Sequence, residues 1–281
     1  MSTIIHFINV GQGNMVLVET VSGKKLVFDC NITDENEDSV LQYVADQIGW
    51  GTSIYAFICS HRDADHIRGI KKLHSDFPIR EIWDSDYLGT TTDTSEYRAY
   101  MDLRRTVDAK IIKKKTRFDF GRTRLRILSS IDDRLPKNAN AQGIVIKAEH
   151  RSVDGSRCLG SAILPGDSDA ATWRYGIYAD YSKSDTSACI LMAVHHGSIF
   201  FFDDLDDKYY YKDHINAIKP AMTIVSIGDN GHGHLDEAAL KFYREGSSGS
   251  SKGNKVYRTD RKGTMKLTLK DGGGWQLNTN Q

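Results

Sequence analysis

Short apolar runs, separated by glycines or polar turns, recur along most of the chain. Runs rich in β-branched and aromatic residues and bounded by such turns are typical of β-strands. In the first half they predict strands at Ile4–Val10, Met15–Thr20, Lys25–Asp29, Ile54–Cys59 and Ile79–Trp83, followed by strand-like sequence over Ala109–Ser129. In the second half they predict strands at Gly143–Glu149, Cys158–Leu164, Ala188–Val194, Met222–Ile227, Val256–Thr259 and Met265–Leu269.

Helical spacing of apolar residues is clearest between the third and fourth of these strands. Val40, Leu41, Val44 and Ile48 recur at intervals of three to four, which predicts an amphipathic helix that ends at Gly49. Weaker patterns predict helices over residues 66–74, 94–107, 169–179 and 235–245. Because strands outnumber helices, the pattern favours two packed sheets with helices outside.

No internal repeat or domain boundary interrupts this pattern, so we predict a single domain over residues 1–281. The Gly/Ser-rich segment 246–254 is typical of a surface loop, because only short strand-like sequence follows it.

The amino-acid composition adds little about function. Hydrophobic residues make up 40% and charged residues 26%, as in a globular protein. Lys+Arg and Asp+Glu balance at 37 each, so the net charge gives no global argument for nucleic acid or an anionic membrane. No apolar run approaches the ~18 residues of a membrane span, and Met1–His6 lacks the features of a signal peptide. We therefore expect a soluble, cytoplasmic protein without membrane contact, with its four cysteines reduced.

A dense group of potential metal ligands follows the predicted strand Ile54–Cys59. His61, Asp63, Asp65 and His66 lie within six residues at the strand's carboxyl end. Imidazole and carboxylate ligands together suit zinc, manganese or iron. The alternative is a solvated polar loop in which Asp65 caps the next helix.

Three later strand ends carry the same residue types: Gly166-Asp167, His195-His196, and His232 with His234. Each alone has the alternative of an ordinary turn. Strand ends of two packed sheets can meet at one edge, however, and four such coincidences favour one shared site.

The order of these segments resembles the metallo-β-lactamase-fold hydrolases, whose motif is H-x-H-x-D-H; here Asp63 replaces the second His. This variant is similar to the branch that contains the nuclease domain of the competence protein ComEC, and to phosphorylcholine esterases of pneumococcal type. Other matching segments are Phe7–Gly13, Pro165–Asp167, Val194–Ser198, Ile227–His234 and Val256–Asp260. The resemblance covers residues 4–270 and implies an α+β fold, a four-layer αββα sandwich.

The resemblance also implies two divalent metal ions, Zn²⁺ or Mn²⁺. One would be held by His61, Asp63 and one of His195 and His196, preferably His196; the other by Asp65, His66 and His234; Asp167 would bridge them. Asp65, or Asp63 where it is not fully engaged, would accept a proton, and His195 or His232 would stabilise the transition state or protonate the leaving oxygen.

The substrate is less well specified. Asn14 lies in a loop that faces the site in relatives, where the family usually has Asp, and is a candidate substrate contact. Lys113 and Lys115 belong to a basic stretch that could follow a nucleic-acid backbone, with Phe118 and Phe120 interleaved. The alternative is a solvated strand face with both phenylalanines in the core.

The sequence therefore predicts a dinuclear phosphoesterase, foremost a nuclease that cleaves DNA or RNA with a metal-bridging hydroxide. A small-molecule phosphodiesterase, similar to phosphorylcholine esterases, is one alternative. A non-catalytic or toxin-like subunit acting through a partner protein is the other.

Overall fold

Two β-sheets face each other at the centre of the computed structural model, which describes residues 1–202, 210–228, 235–249 and 255–279. The first sheet has the order β16-β15-β1-β2-β3-β5-β6-β7. Its strands are β1 Thr3–Phe7, β2 Val16–Glu19, β3 Lys25–Phe28, β5 Ile54–Ile58, β6 Ile79–Asp84, β7 Asp108–Ile111, β15 Met265–Leu269 and β16 Trp275–Thr279. The two-residue β4, Cys30–Asn31, pairs with Ile67 and Arg68.

The second sheet has the order β14-β13-β12-β11-β10-β9-β8. Its strands are β8 Arg117–Phe120, β9 Thr123–Ser129, β10 Val145–Arg151, β11 Cys158–Leu164, β12 Ile190–Met192, β13 Met222–Val225 and β14 Val256–Arg258. Apolar side chains of both sheets, among them Ile5, Phe28, Ile146 and Leu164, form the core between them.

Helices cover the outer face of each sheet. α1 Glu37–Ile48, α2 Ala64–Ile67, α3 Ile70–Asp76 and α4 Ser95–Thr106 contribute to an apolar cluster on the first sheet. On the second sheet a similar cluster includes a helical turn at Thr172–Ile177, α7 Asp213–Ile218 and α8 Glu237–Gly246. The short α5 Tyr178–Asp180, α6 Lys183–Thr186 and α9 Thr259–Lys262 complete the α-helices of the described residues, and 3-10 turns lie at Val194–Gly197 and Ile199–Phe201. The predicted four-layer αββα sandwich is confirmed.

Several predicted boundaries differ from the structure for identifiable reasons. The stretch Ala109–Ser129 is divided between the two sheets. β7 is an edge strand of the first sheet, whereas β8 and β9 belong to the second. The predicted helix over 66–74 breaks at Gly69, which has a φ of +76°. β16 was not predicted, because it is a half-exposed edge strand in which polar residues alternate with apolar ones.

Parallel pairing determines where functional side chains meet. β3, β5, β6 and β7 are parallel neighbours, as are β11, β12, β13 and β14. Parallel strands end at the same edge of a sheet, so the loops after β3, β5, β11, β12 and β13 converge there.

No helix among the described residues is long and apolar enough to cross a bilayer.

Candidate metal centre

Three histidines and two aspartates face one another where these strands end. His66 Nε2 lies 3.3 Å from Asp167 Oδ1 and 3.8 Å from Asp65 Oδ2. His196 Nε2 lies 3.3 Å from Asp65 Oδ2 and 3.5 Å from Asp167 Oδ1, and His61 Nε2 lies 4.0 Å from Asp167 Oδ2. Two groups, His61-His66-Asp167 and Asp65-His66-His196, each have ligand atoms within 4.8 Å of one another.

Each of the three imidazoles is oriented through its Nδ1 atom. His66 Nδ1 lies 2.7 Å from Asp29 Oδ2, and His61 Nδ1 lies 3.0 Å from Ser60 Oγ. His196 Nδ1 lies 3.0 Å from the Ser226 carbonyl oxygen, to which it must donate. All three Nε2 atoms are thereby directed at the carboxylates. For His66 and His196 this is the arrangement found around metal-ligating histidines, whose other nitrogen bonds to a carboxylate, a backbone carbonyl or water.

Asp29 is the carboxylate on which this orientation depends. It is fully buried after β3, with a φ of +58°. Its Oδ1 accepts the Ser60 N–H at 2.7 Å and its Oδ2 accepts the Ser60 hydroxyl at 2.8 Å, in addition to facing His66. One buried side chain therefore positions both the start of the ligand loop and an imidazole within it.

Buried atoms without partners indicate what the site can hold. Among the described residues, His66 Nε2, His196 Nε2 and Asp167 Oδ1 are buried and make no hydrogen bond. Buried polar atoms are almost always satisfied, so such a cluster calls for a specific explanation. Inward-facing imidazole nitrogens beside carboxylate oxygens are the donor set of zinc, manganese and iron. The residues present therefore fit a divalent metal ion.

Mutual electrostatics govern the protonation of these groups. Burial alone would raise the pKa of Asp167, but the facing imidazoles of His195, His66 and His196 hold it well below its usual range. Burial would lower the pKa of His66, yet Asp167, Asp65 and Asp29 raise it well above its ordinary value. His61 differs: burial and the neighbouring His66 lower its pKa. The site therefore brings carboxylates with a lowered pKa against imidazoles with a raised pKa.

The two adjacent histidines occupy different positions. His196 is buried within the cluster, whereas the His195 side chain is 29% exposed at the mouth, with Nε2 3.5 Å from Asp167 Oδ2. The distances group His196 with Asp65 and His66, which differs from the predicted grouping with His61 and Asp63.

Asp63 is held by a loop that the sequence did not single out. Its Oδ1 accepts the Thr90 N–H at 2.6 Å and its Oδ2 accepts the Thr90 hydroxyl at 2.7 Å. His61 Nε2 is 3.7 Å from the same Oδ2. Asp63 thus lies beside the cluster with both oxygens oriented, and it retains lone pairs for a cation.

A cavity of about 490 Å³ opens over the cluster. Its lining residues are Gln12, Asp63, Ala64, Asp65, Arg68, Thr90, Asn140, Asp167, His195 and His196. Arg68 provides a cation at this cavity: its guanidinium donates to Glu96 Oε1 at 3.2 Å and to Asn31 Oδ1 at 3.3 Å, and its side chain is 36% exposed.

The predicted substrate contacts are not among the described residues that line this cavity. Asn14 is buried behind the ligand loop, where its backbone N–H donates to the Asp65 carbonyl at 3.2 Å. Neither Lys113 nor Lys115 is among the described residues that line the cavity, and Lys115 pairs with Asp180 at 2.9 Å. Phe118 and Phe120 pack against the core between the sheets, as the alternative interpretation expected. His232 and His234 lie outside the described residues.

Sequence reasoning missed Asp29, Thr90 and Arg68. Asp29 had a usable signal, since it is an acidic residue directly after the apolar strand β3, like the residues that follow the other converging strands. Thr90 had none, because its loop carries no hydrophobic pattern that would place it beside Asp63.

No protein-family model matches the sequence, and no curated protein is significantly similar to it. Solved structures do resemble it. The metallo-β-lactamase fold protein YhfI from Bacillus subtilis superposes with a TM-score of 0.55 at 13% identity, over 93% of this chain and 98% of that one. Igni18, a metallo hydrolase from Ignicoccus hospitalis, superposes with a TM-score of 0.53 at 10% identity, over 99% and 100%. This chain has the metallo-β-lactamase fold.

The same fold also occurs with other chemistry. CmlA, a diiron β-hydroxylase from Streptomyces venezuelae, superposes with a TM-score of 0.54 at 10% identity, over 95% of this chain and 54% of that one. Because one fold hosts several reactions, the reaction of this chain must be argued from its site.

Proposed function

We propose that the protein is a dinuclear metal-dependent phosphodiesterase. The observation that carries the proposal is the cluster of buried, unpartnered His66 Nε2, His196 Nε2 and Asp167 Oδ1 atoms at the base of an open cavity. One ion would be held by His61, Asp63 and Asp167, and the other by Asp65, His66 and His196, with Asp167 shared. His234 is a further candidate ligand from the resemblance.

Bound divalent ions supply Lewis acidity and lower the pKa of water, which gives a nucleophile near neutral pH. The protein's own groups would do the rest. Asp29, Ser60 and Ser226 hold the three imidazoles in place. His195, at the mouth of the cavity, would donate a proton to a leaving oxygen.

Two features support a phosphodiester substrate. Asp63 stands where the wider family has His, as in relatives that act on phosphoesters. Arg68 lines the same cavity. Guanidinium groups frequently form bidentate hydrogen bonds with phosphate oxygens.

The cavity volume is compatible with a compact substrate. About 490 Å³ lies within the range of small-molecule sites, roughly 300–1,000 Å³. The basic stretch that would follow a nucleic-acid backbone makes ion pairs through Lys114, Lys115 and Arg124 and does not contribute to the lining among the described residues. DNA and RNA are the alternative substrates, and a small phosphodiester is the one we favour.

The test combines metal analysis with a substrate panel on one sample. We expect two equivalents of zinc or manganese, hydrolysis of a chromogenic phosphodiester, and loss of both in Asp167→Asn, which removes the shared charge at nearly constant volume. Asp102→Asn, on the exposed side of α4, is the matched control and should retain both. Full activity in metal-depleted protein, or in Asp167→Asn, would refute the proposal. Cleavage of oligonucleotides with little turnover of the small diester would assign the nuclease alternative.

A further inference from the structure

A row of three cations crosses the outer face of the second sheet, far from the metal centre. Arg117 on β8 is directly opposite Arg126 on β9, and Arg126 is directly opposite Lys147 on β10. We call these three residues the cationic row. Like charges directly opposite each other destabilise a sheet. A row of three therefore calls for a compensating anion.

Compensation by the protein is incomplete at the centre of the row. Arg126 reaches Asp185 Oδ1 only at 3.4 Å and Glu149 Oε1 only at 3.6 Å, which is at or beyond the limit of a hydrogen bond. Lys147, with a side chain only 4% exposed, lies 3.4 Å from the same Glu149 oxygen and donates to the Asp185 carbonyl at 2.9 Å. One buried carboxylate, Glu149, is thus shared by several cations.

The row lies in a concave part of the surface. One depression of about 530 Å³ and a second of about 430 Å³ share Arg126, Glu149, Arg151 and Asp185 in their linings. Seven cations of the described ranges line the two: Lys115, Arg117, Arg124, Arg126, Lys147, Arg151 and Lys219. Among the described residues, four carboxylates lie in the linings or pair with these cations, namely Asp119, Glu149, Asp180 and Asp185, which leaves three positive charges in excess.

The location separates these depressions from the metal centre. Cys158, Cys189 and Ala221, in the lining, lie where β11, β12 and β13 begin, whereas Asp167 and His196 follow the ends of β11 and β12. The seven residues of β11 span roughly 20 Å at ~3.3 Å per residue. A ligand held at the cationic row therefore occupies a different site from the substrate.

We propose that the cationic row and its two depressions form a second binding site, for an anion that carries several phosphate groups. A single carboxylate would leave most of the excess charge uncompensated, whereas a polyphosphate supplies several negative charges along a chain that can span neighbouring strands. The phosphates could come from a free polyphosphate or from a nucleic-acid strand. The chemistry recognised is the same.

The binding test uses inorganic tripolyphosphate and a short oligothymidylate as probes, measured by calorimetry. Both the purified protein and protein from which metal has been removed are used, so that binding through the metal centre is identified by its metal dependence. We expect saturable tripolyphosphate binding without metal, weakened at least about tenfold in Arg126→Gln. Arg105→Gln, an exposed cation on α4, is the matched control for net charge and should bind like the wild type. Oligothymidylate that competes with tripolyphosphate would identify a nucleic-acid strand as the source, and lack of competition a free polyphosphate.

Stability provides a second, independent measurement. Arg117 is 67% exposed, so Arg117→Gln should fold, and removal of its repulsion with Arg126 should raise the urea midpoint of the free protein while binding weakens. Tripolyphosphate should raise the midpoint of the wild type more than that of this variant. The proposal is overturned if metal-free protein shows no saturable binding of either probe, or if Arg126→Gln and Arg117→Gln bind as tightly as Arg105→Gln.

Discussion

His214, on α7, makes a quantitative prediction about stability and pH. It is fully buried, and within the described part of the chain neither of its ring nitrogens has a hydrogen-bond partner. Aromatic rings surround it, including Phe201 at a centroid distance of 4.5 Å, Trp173 at 5.5 Å and Tyr211, stacked at 5.9 Å. Nothing in the described part of the chain would compensate an imidazolium in this position, and burial lowers the pKa of His214 from 6.5 to about 3.

The direction of the effect follows from proton binding. Between pH 6.5 and about 3 the unfolded chain binds a proton at this histidine and the folded protein does not. The free energy of unfolding contributed by the neutral ring is therefore complete above pH 6.5 and decreases as the pH falls towards 3. At ~1.4 kcal/mol per pH unit, the loss between pH 7 and pH 5 is about 2 kcal/mol.

The assay is urea unfolding of the wild type and of His214→Phe at pH 7, 6 and 5. The variant removes the titrating group and keeps a ring of similar size, so its decline with pH should be smaller by about 2 kcal/mol by pH 5. At pH 7 it should be at least as stable, because two buried ring nitrogens that have no hydrogen-bond partner within the described ranges are removed. His214→Leu should give the same difference in slope. Identical pH slopes in wild type and both variants would refute the reasoning.

Three further predictions concern the metal centre. Asp29→Asn removes the carboxylate that orients an imidazole, so metal affinity should fall about 10- to 100-fold in a chelator competition, with the circular dichroism unchanged. Thr90→Val removes a hydroxyl bond to Asp63 and should weaken metal binding, while Thr90→Ser should retain it. Gly166→Ala should lower the free energy of unfolding by about 1 kcal/mol or more. The φ of Gly166 is +55°, and the new Cβ would lie 2.7 Å from the Cβ of Ser60. Unchanged thermal unfolding would contradict this prediction.

The sequence predicted the layers because each depends on local periodicity. The buried runs of β5 and β11 and the apolar spacing in α1 are visible without tertiary information. Sheet membership is different: β7 and β8 are separated by only five residues and belong to different sheets. Partner choice over such a distance depends on burial between the layers, which no local pattern encodes.

The candidate site was predictable to a similar degree. Residue types at strand ends identified His61, Asp167 and His196, because side chains after parallel strands meet at one edge. The pairing of His196 with Asp65 and His66 depends on how the turn after β12 is folded. That turn has φ values of +48° and +53° at His195 and His196, a conformation that sequence patterns do not specify for residues other than glycine.

The strained backbone of this turn also supports a functional role for His195 and His196. A left-handed conformation costs roughly 1–2 kcal/mol for each residue that is not glycine, and strain of this kind persists only where the surroundings enforce it. Here the His195 N–H donates to the Gly166 carbonyl at 3.2 Å, and His196 Nδ1 donates to the Ser226 carbonyl at 3.0 Å. The acceptors follow β11 and β13, the parallel strands that pair with β12 on either side. The strands that bring the ligands to one edge therefore also hold the strained turn that aims His196 Nε2 at Asp65 and Asp167. A purely structural turn would have no need to maintain that strain beside a buried carboxylate oxygen, Asp167 Oδ1, that makes no hydrogen bond among the described residues.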